Sequence, residues 1–293
     1  MKCVLCGGIR FSFVHKLGEC ETCGLVQVVA MPSEKEISQL YHEDLEHFEP
    51  YIAQIPVHRK YFRNELQFVI PDPIGDRSWF SNKTKTDSRL RGNDRKLLDI
   101  GCAMGILLEE ARRVGYRAKG IDISHDAVLY CRKKKLQVFE GTLSSGVNKL
   151  QKKSFDVITA FEIIEHERDP FGMMRRVHTL LKNGGVAVLT TPNHDSYWRK
   201  IMGKWWVGYH HPEHVTFWDP GSLRELFERA GFRDIAIARD SPRPFPLSFV
   251  FTRGADYIPW AAWILKPVGK FLDRFSLKNP INPWDDLIVF ARK

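Results

Sequence analysis

With 293 residues, 43 % of them hydrophobic, the chain is long enough for one α/β domain of about 200 residues and a further small module. Its 44 Lys and Arg against 35 Asp and Glu give a net charge of +9, which invites a nucleic-acid partner. No segment approaches the roughly 20 apolar residues of a membrane-spanning helix, and no N-terminal stretch has a signal peptide's apolar core; we therefore expect a cytoplasmic chain with reduced cysteines.

Residues 1–30 hold two knuckles, Cys3-x-x-Cys6 and Cys20-x-x-Cys23, each followed by a glycine, Gly7 and Gly24. Two such pairs suit one tetrahedral, structural Zn²⁺ on Cys3, Cys6, Cys20 and Cys23. Disulfides are the alternative, and a reducing compartment argues against them. A ribbon this small cannot bury enough surface to fold without its metal. Residues 31–75 read as a helical linker or cap, and residues 76–95 as a flexible insertion, polar and aperiodic, that carries no chemistry. The segment 76–96 supplies +4 of the net charge. Arg132-Lys133-Lys134-Lys135 reads as the solvated end of a helix. Basicity is thus a mild hint of nucleic acid.

Residues 97–105, Leu-Leu-Asp-Ile-Gly-Cys-Ala-Met-Gly, carry the strongest signal. Leu97, Leu98 and Ile100 have buried-strand character around Asp99, the turn runs from Gly101 through Cys102 to Gly105, and an apolar helix follows over 106–114. A strand, a tight turn and a helix N-terminus can bring backbone N–H groups to a ligand. A second strand over 118–123 ends near Asp122 and Ile123, and an acid there is placed for ribose hydroxyls. The dinucleotide pattern's central glycine is replaced by Ala103, and no lysine follows the second glycine as a P-loop requires. The acid before the loop suits a ligand with a cationic amino group, such as S-adenosylmethionine.

These residues resemble the class I S-adenosylmethionine-dependent methyltransferases. Residues 155–166, Phe-Asp-Val-Ile-Thr-Ala-Phe-Glu-Ile-Ile-Glu-His, look like that family's fourth strand and the loop after it. Asp169-Pro170 then starts a helix to about residue 181, and Lys182-Asn183-Gly184-Gly185 turns into a strand over 186–190. Residues 221–232 resemble the last helix and its exit turn. The resemblance implies an α/β, Rossmann-like sheet of seven strands with helices on both faces over 96–293, closing with antiparallel strands at 232–239 and 286–291. It implies S-adenosylmethionine along Asp99, Gly101, Cys102, Gly105, Asp122, Ile123, Phe161 and Glu162. The ribbon, with Pro32-Ser33 and Tyr41 after it, resembles bacterial methyltransferases with an N-terminal zinc ribbon, sugar C-methyltransferases among them. There the ribbon helps shape the substrate side. The implied acceptor is a small molecule such as a nucleotide-sugar or a cell-surface or secondary-metabolite precursor.

The acceptor side falls on residues 209–218, Tyr-His-His-Pro-Glu-His-Val-Thr-Phe-Trp. An imidazole takes up a proton near neutral pH, and a neighbouring acid can orient it. The Glu213-His214 pair resembles the segment that supplies the base in ribbon-bearing sugar methyltransferases. His214 is the first candidate base, Glu213 its orienting acid and His166 the second candidate. A packing role against the last helix and a histidine metal site are the alternatives. Trp198, Trp205, Trp206 and Trp218 read as lid and core. Residues 255–275 are aromatic, apolar and interrupted by lysines: a lid or dimer face, or a surface helix pair on a bilayer. Two rival functions stay open. Ribosomal RNA methylation lacks the Asn/Asp-Pro-Pro-aromatic motif of exocyclic-amine methyltransferases, and a non-catalytic binding module would fail to bind S-adenosylmethionine.

Overall fold

The computed structural model describes residues 1–14, 16–33, 35–37, 52, 54–69, 95–143, 150–240, 246–257, 259–275 and 286–293. Helix α1 (Ile55–Val69) lies in the expected helical linker, while residues 38–51 and the expected insertion up to residue 94 lie outside the described residues.

Two sheets organise the chain. The N-terminal strands β1 (Phe11–Val14), β2 (Leu17–Cys20) and β3 (Val26–Val28) form an antiparallel ribbon. The main sheet is built from parallel strands β4 (Lys96–Ile100), β5 (Arg117–Asp122), β6 (Gln137–Glu140), β7 (Phe155–Phe161) and β8 (Leu181–Pro192). A short strand β9 (Thr216–Phe217) joins the ribbon: Val26 pairs with Phe217 and Gln27 with Thr216. Strands β10 (Arg233–Arg239) and β11 (Asp286–Arg292) close the main sheet antiparallel. The main order is β10-β11-β8-β7-β4-β5-β6, the seven-stranded arrangement expected from the sequence. Strand β8 begins five residues before the expected 186, directly after a helix, and the Lys182–Gly185 turn is absorbed as a register break opposite Phe155 and Val157.

Side-chain alternation explains the layers. Leu98 and Ile100 on β4 face one core and Leu97 the other, as a strand buried on both sides requires. Helices α2 (Ile106–Arg113) and α3 (His125–Lys133) cover the second core. Helix α4 (Pro170–Leu180) covers the first, begun by Asp169, whose carboxylate accepts from Gly172 N at 2.8 Å, with Pro170 at the first helical position. A short α5 (Tyr197–Met202) precedes the histidine-rich run. Helix α6 (Pro220–Arg229) is started by a reciprocal Asp219–Ser222 capping box and also covers the first core. Helices α7 (Leu247–Tyr257) and α8 (Ala262–Asp273) lie between β10 and β11 in sequence and pack on each other.

The ribbon is not an appendage. Cys3, Leu5, Cys20 and Leu25 are buried in the same core as Trp218, Leu226 and Phe227, and the Arg229 guanidinium donates to the Leu5 carbonyl at 3.4 Å. Helix α1 is tied to α2 by Arg59, which donates to Glu110 at 2.7 Å and Glu109 at 2.6 Å. From the same helix, Tyr61 donates to Asp240 at 2.6 Å.

Candidate active site

The order of the main sheet fixes where a ligand can lie. From β4 the chain proceeds outward through β5 and β6, then returns to β7 on the other side. The crevice at the carboxyl ends of β4 and β7 is therefore the switch point at which open α/β sheets bind ligands. The loop after β4 and the loop after β7 meet there. A Cβ on Gly101, whose φ is +72°, would sit 2.0 Å from Ile163 Cδ1, so only glycine permits that approach.

The loop is braced from within. Gly101 N and Cys102 N donate to Ile121 O at 2.8 and 3.0 Å, Gly105 N to Cys102 O at 2.8 Å, and Ala103 N to Asp122 Oδ2 at 2.7 Å. The other Asp122 oxygen accepts from Ser124 N at 2.9 Å. We expected loop N–H groups to face the ligand; at positions 101, 102, 103 and 105 they serve the loop instead. Asp122 stands at the end of β5 as expected, with Ile123 partly exposed beside it, and its carboxylate also fixes the turn it faces. Cys102 is buried against Gly120 and contributes packing, as does Gly105 against Leu136 and Cys131. Asp99 is buried and accepts from the Thr159 hydroxyl at 2.6 Å. Burial, against that hydrogen bond and with help from the Asp122 charge, pushes its carboxyl up to about 7.

Phe161 ends β7, and Tyr61 and Phe62 of α1 meet its ring edge-on at 6.0 and 5.4 Å between centroids. These two aromatics cap the crevice, and the sequence reading missed them because linker residues gave no chemical signal. Glu162 has a left-handed backbone, φ 56°, and is held by Thr190, whose hydroxyl donates to Oε1 at 2.7 Å.

The histidine-rich run docks onto the loop after β7. Val215 N donates to Glu165 O at 2.8 Å, Val28 N to Val215 O at 3.0 Å, and the Thr216 hydroxyl to Ile164 O at 3.2 Å. His166 and His214 meet edge-on with centroids 4.8 Å apart, and His211 stacks on His214 at the same separation. His214 Nδ1 lies 2.9 Å from Gly208 O. A carbonyl only accepts, so Nδ1 carries the proton and Nε2 is left as the acceptor. Burial pushes His214 well below the usual imidazole range, and the His166 and His211 charges add to it; burial also lowers His166 to about 4. This corrects the expected titration near neutral pH: both rings are neutral there. Glu213 does not touch His214 in orienting fashion. It lies 3.2 Å from His211 Nδ1, and although burial opposes this, that hydrogen bond helps hold its carboxyl below the usual range.

Glu165, an acid the sequence reading left without a role, is buried beneath these rings. Its Oε2 accepts from Thr191 at 3.0 Å, and its Oε1 has no hydrogen-bond partner among the described residues. Burial and the Glu162 charge push its carboxyl well above the usual range. Glu165, His166 and His214 present ligand atoms within 4.8 Å of one another. Trp206 and Trp218 are core residues, as expected, and Trp205 is exposed, stacked near His210.

The four ribbon cysteines bring their sulfurs within 4.8 Å of one another and are unbridged, with Cys3–Cys23 and Cys6–Cys20 at 3.5 Å. A disulfide needs about 2.05 Å between sulfurs, so the disulfide alternative is set aside. All-thiolate donors at these separations fit one tetrahedral zinc.

A family model for a methyltransferase domain matches residues 75–237. A ubiquinone biosynthesis O-methyltransferase of Paraburkholderia phymatum is 29 % identical over 181 residues, which is 58 % of this chain and 78 % of that protein. Among solved structures, a SAM-dependent methyltransferase from Archaeoglobus fulgidus superposes with a TM-score of 0.53 at 19 % identity, covering 84 % of this chain and 100 % of that one. A SAM-dependent methyltransferase from Thermotoga maritima, described as a possible histamine N-methyltransferase, gives 0.52 at 15 % identity over 85 % and 98 %. At these identities the structures speak for the fold. Among the described residues no helix is long and apolar enough to cross a membrane.

Proposed function

The chain belongs to the methyltransferase-domain family and is a class I S-adenosylmethionine-dependent methyltransferase; from that premise we propose that it methylates an oxygen of a small-molecule acceptor, with His214 Nε2 taking the acceptor's proton. The observation that carries this reading is the His214–Gly208 hydrogen bond, which fixes the tautomer of an otherwise desolvated ring next to the switch-point crevice. The oxygen comes from relatives at 25–30 % identity that are named O-methyltransferases. A nucleotide-sugar fits the same chemistry through its hydroxyls.

The cofactor, when bound, supplies an activated methyl group on a sulfonium. Asp99 and the braced 101–105 turn would hold the amino-acid end, and Asp122 would hold the ribose. Phe161, Tyr61 and Phe62 keep water from the crevice, which strengthens every charge interaction within it. The acceptor's O–H bond would break as its oxygen bonds the methyl carbon; the methyl–sulfur bond would break in the same displacement, its electron pair staying on the sulfur, which leaves as a neutral thioether, and the proton would pass to His214 Nε2. His211, Glu213 and His166 set the ring's electrostatics. The ribbon, with one zinc on its four thiolates, would hold β9, which begins two residues after His214.

A second reading has its own support. The Glu165 oxygen that accepts no hydrogen bond and lies 3.8 Å from His166 Nε2, together with the imidazoles of His166 and His214, could hold a divalent cation that polarises the acceptor oxygen. One comparison separates the readings. The purified protein is assayed for methyl transfer from labelled S-adenosylmethionine to phenols, nucleotide-sugars and ribosomal RNA, and its metals are counted. The proposal expects one zinc per chain and transfer to a hydroxyl acceptor that survives addition and removal of magnesium. Two metals per chain with magnesium-dependent turnover favour the second reading, and methylation of RNA alone overturns the small-molecule assignment.

A further inference from the structure

Helix α8 shows an exposed face, without a packing partner among the described residues, that the methyl-transfer site leaves unexplained. One side of the helix is fixed by packing: a Cβ on Gly269 would lie 2.7 Å from Thr252 Cγ2 and 3.1 Å from Ser248 O of α7, so the two helices touch backbone to backbone there. At 100° per residue, the opposite side carries Trp263, Ile264, Pro267, Phe271 and, two residues past the end, Phe275. These side chains face solvent. Trp263 is 75 % exposed, Phe271 57 % and Phe275 55 %, and Trp260, in the turn entering α8, is 71 % exposed. Single exposed apolar residues are ordinary, but a contiguous row of this size marks a contact surface.

The charge beside that row identifies the partner. Lys266, Lys270 and Arg274 recur every four residues along the adjacent ridge, all exposed, and Asp273 is the one acid described on α8. Aromatic and aliphatic side chains on one face, with cations along its border, match a helix lying in the interface of an anionic bilayer. Rings enter the headgroup level there, and amines meet phosphates. The 12 residues of α8 span only about 18 Å at 1.5 Å each, too short to cross. We propose that α8 and the turn before it dock this protein on an anionic phospholipid surface. The surface is separate from the histidine cluster, and the inference does not depend on the acceptor assigned above.

Sedimentation of the whole protein with vesicles tests it. Vesicles of phosphatidylcholine with 30 % phosphatidylglycerol should retain the protein at low salt, and phosphatidylcholine alone should retain much less. The double variant Trp263→Ala/Phe271→Ala should weaken binding about tenfold or more, and Lys266→Glu/Lys270→Glu should do the same while leaving the rings in place. Unchanged melting and cofactor affinity establish that each variant is folded; the charge variant, altered only at exposed positions, keeps the test valid if the apolar one misfolds. No binding to anionic vesicles overturns the proposal, as does binding that both variants retain. A concentration-dependent dimer lost in Trp263→Ala/Phe271→Ala overturns it too, since the face would then cover a second copy.

Discussion

The cofactor half and the acceptor half of the site are built on opposite plans. The glycine turn and Asp122 come from 22 consecutive residues, 101–122, and brace one another through hydrogen bonds between the turn and β5, while Asp99 is held from β7 by Thr159. The histidine cluster has local contacts, His214 with Gly208 and His211 with Glu213, but its position is set from afar. It is assembled from β3 near the N-terminus, the 162–166 loop, the end of β8 and β9, elements up to about 190 residues apart in sequence. A local unit tolerates damage elsewhere in the molecule. An assembled one inherits the weakness of its least stable part, here a small ribbon whose four cysteines lie close enough to share one metal ion.

The sharpest break in that comparison is His214→Ala. As the proton acceptor it should cost about 10²–10⁴-fold in turnover, with cofactor affinity unchanged by calorimetry. Because burial holds the ring well below its usual range, wild-type activity should stay level on the acid side from pH 8 to pH 6. His214→Ala with full turnover per folded molecule would assign the ring to packing.

On the cofactor side, Asp122→Ala should weaken S-adenosylmethionine binding by about 2–4 kcal/mol, since two charge-assisted ribose bonds go and the Ala103 brace with them. Turnover at saturating cofactor should be nearly retained. Equal losses in both parameters would mean the halves are not separable. Gly101→Ala, forced against Ile163 at a left-handed φ, should cost about 1–3 kcal/mol in stability or cofactor affinity, read by thermal melting and calorimetry.

The smallest effect is a pH dependence of binding. Asp99 is pushed up to about 7 from an ordinary 3.8, so between those values the free protein holds a proton that the unfolded chain has lost. Stability of the free protein should therefore decline as pH rises from about 4 to 7 and level off above. A cationic amino group beside Asp99 favours the ionised carboxylate. Cofactor affinity should then rise from pH 6 to pH 8 with proton release, measurable by calorimetry in buffers of different ionisation enthalpy. Binding without proton release would place the amino group elsewhere.

The same contrast decides what could be read in the sequence. The strand-turn-acid pattern of 97–122 is a local signal that placed β4 and β5, and the resemblance it opened implied β7, β8, β10 and β11, while β6 and β9 carried no signal that was read. The Asp169 cap is local too, and fixed one helix, whereas the Asp219 capping box went unread. The partners of His214 are not local. Nothing in Val26-Gln27-Val28 announces pairing with Thr216 and Phe217, and Glu165 gains its burial only when β7, β8 and β9 converge. Glu213 was assigned by adjacency in sequence, yet its carboxylate meets His211, because a side chain two residues away on a bent loop is nearer than the next one.

If the ribbon positions His214 and the 101–105 turn braces itself, loss of the ribbon should strike turnover before cofactor binding. Cys20→Ser, with a chelator titration of the wild type beside it, tests that claim by following zinc content, turnover and S-adenosylmethionine affinity in one preparation. The account predicts that zinc and turnover fall together, turnover by roughly 100-fold or more as the base loses its position, while cofactor affinity stays within about twofold, as the self-braced loop requires. Cofactor binding lost in step with zinc, or turnover that persists in the zinc-free protein, would contradict it.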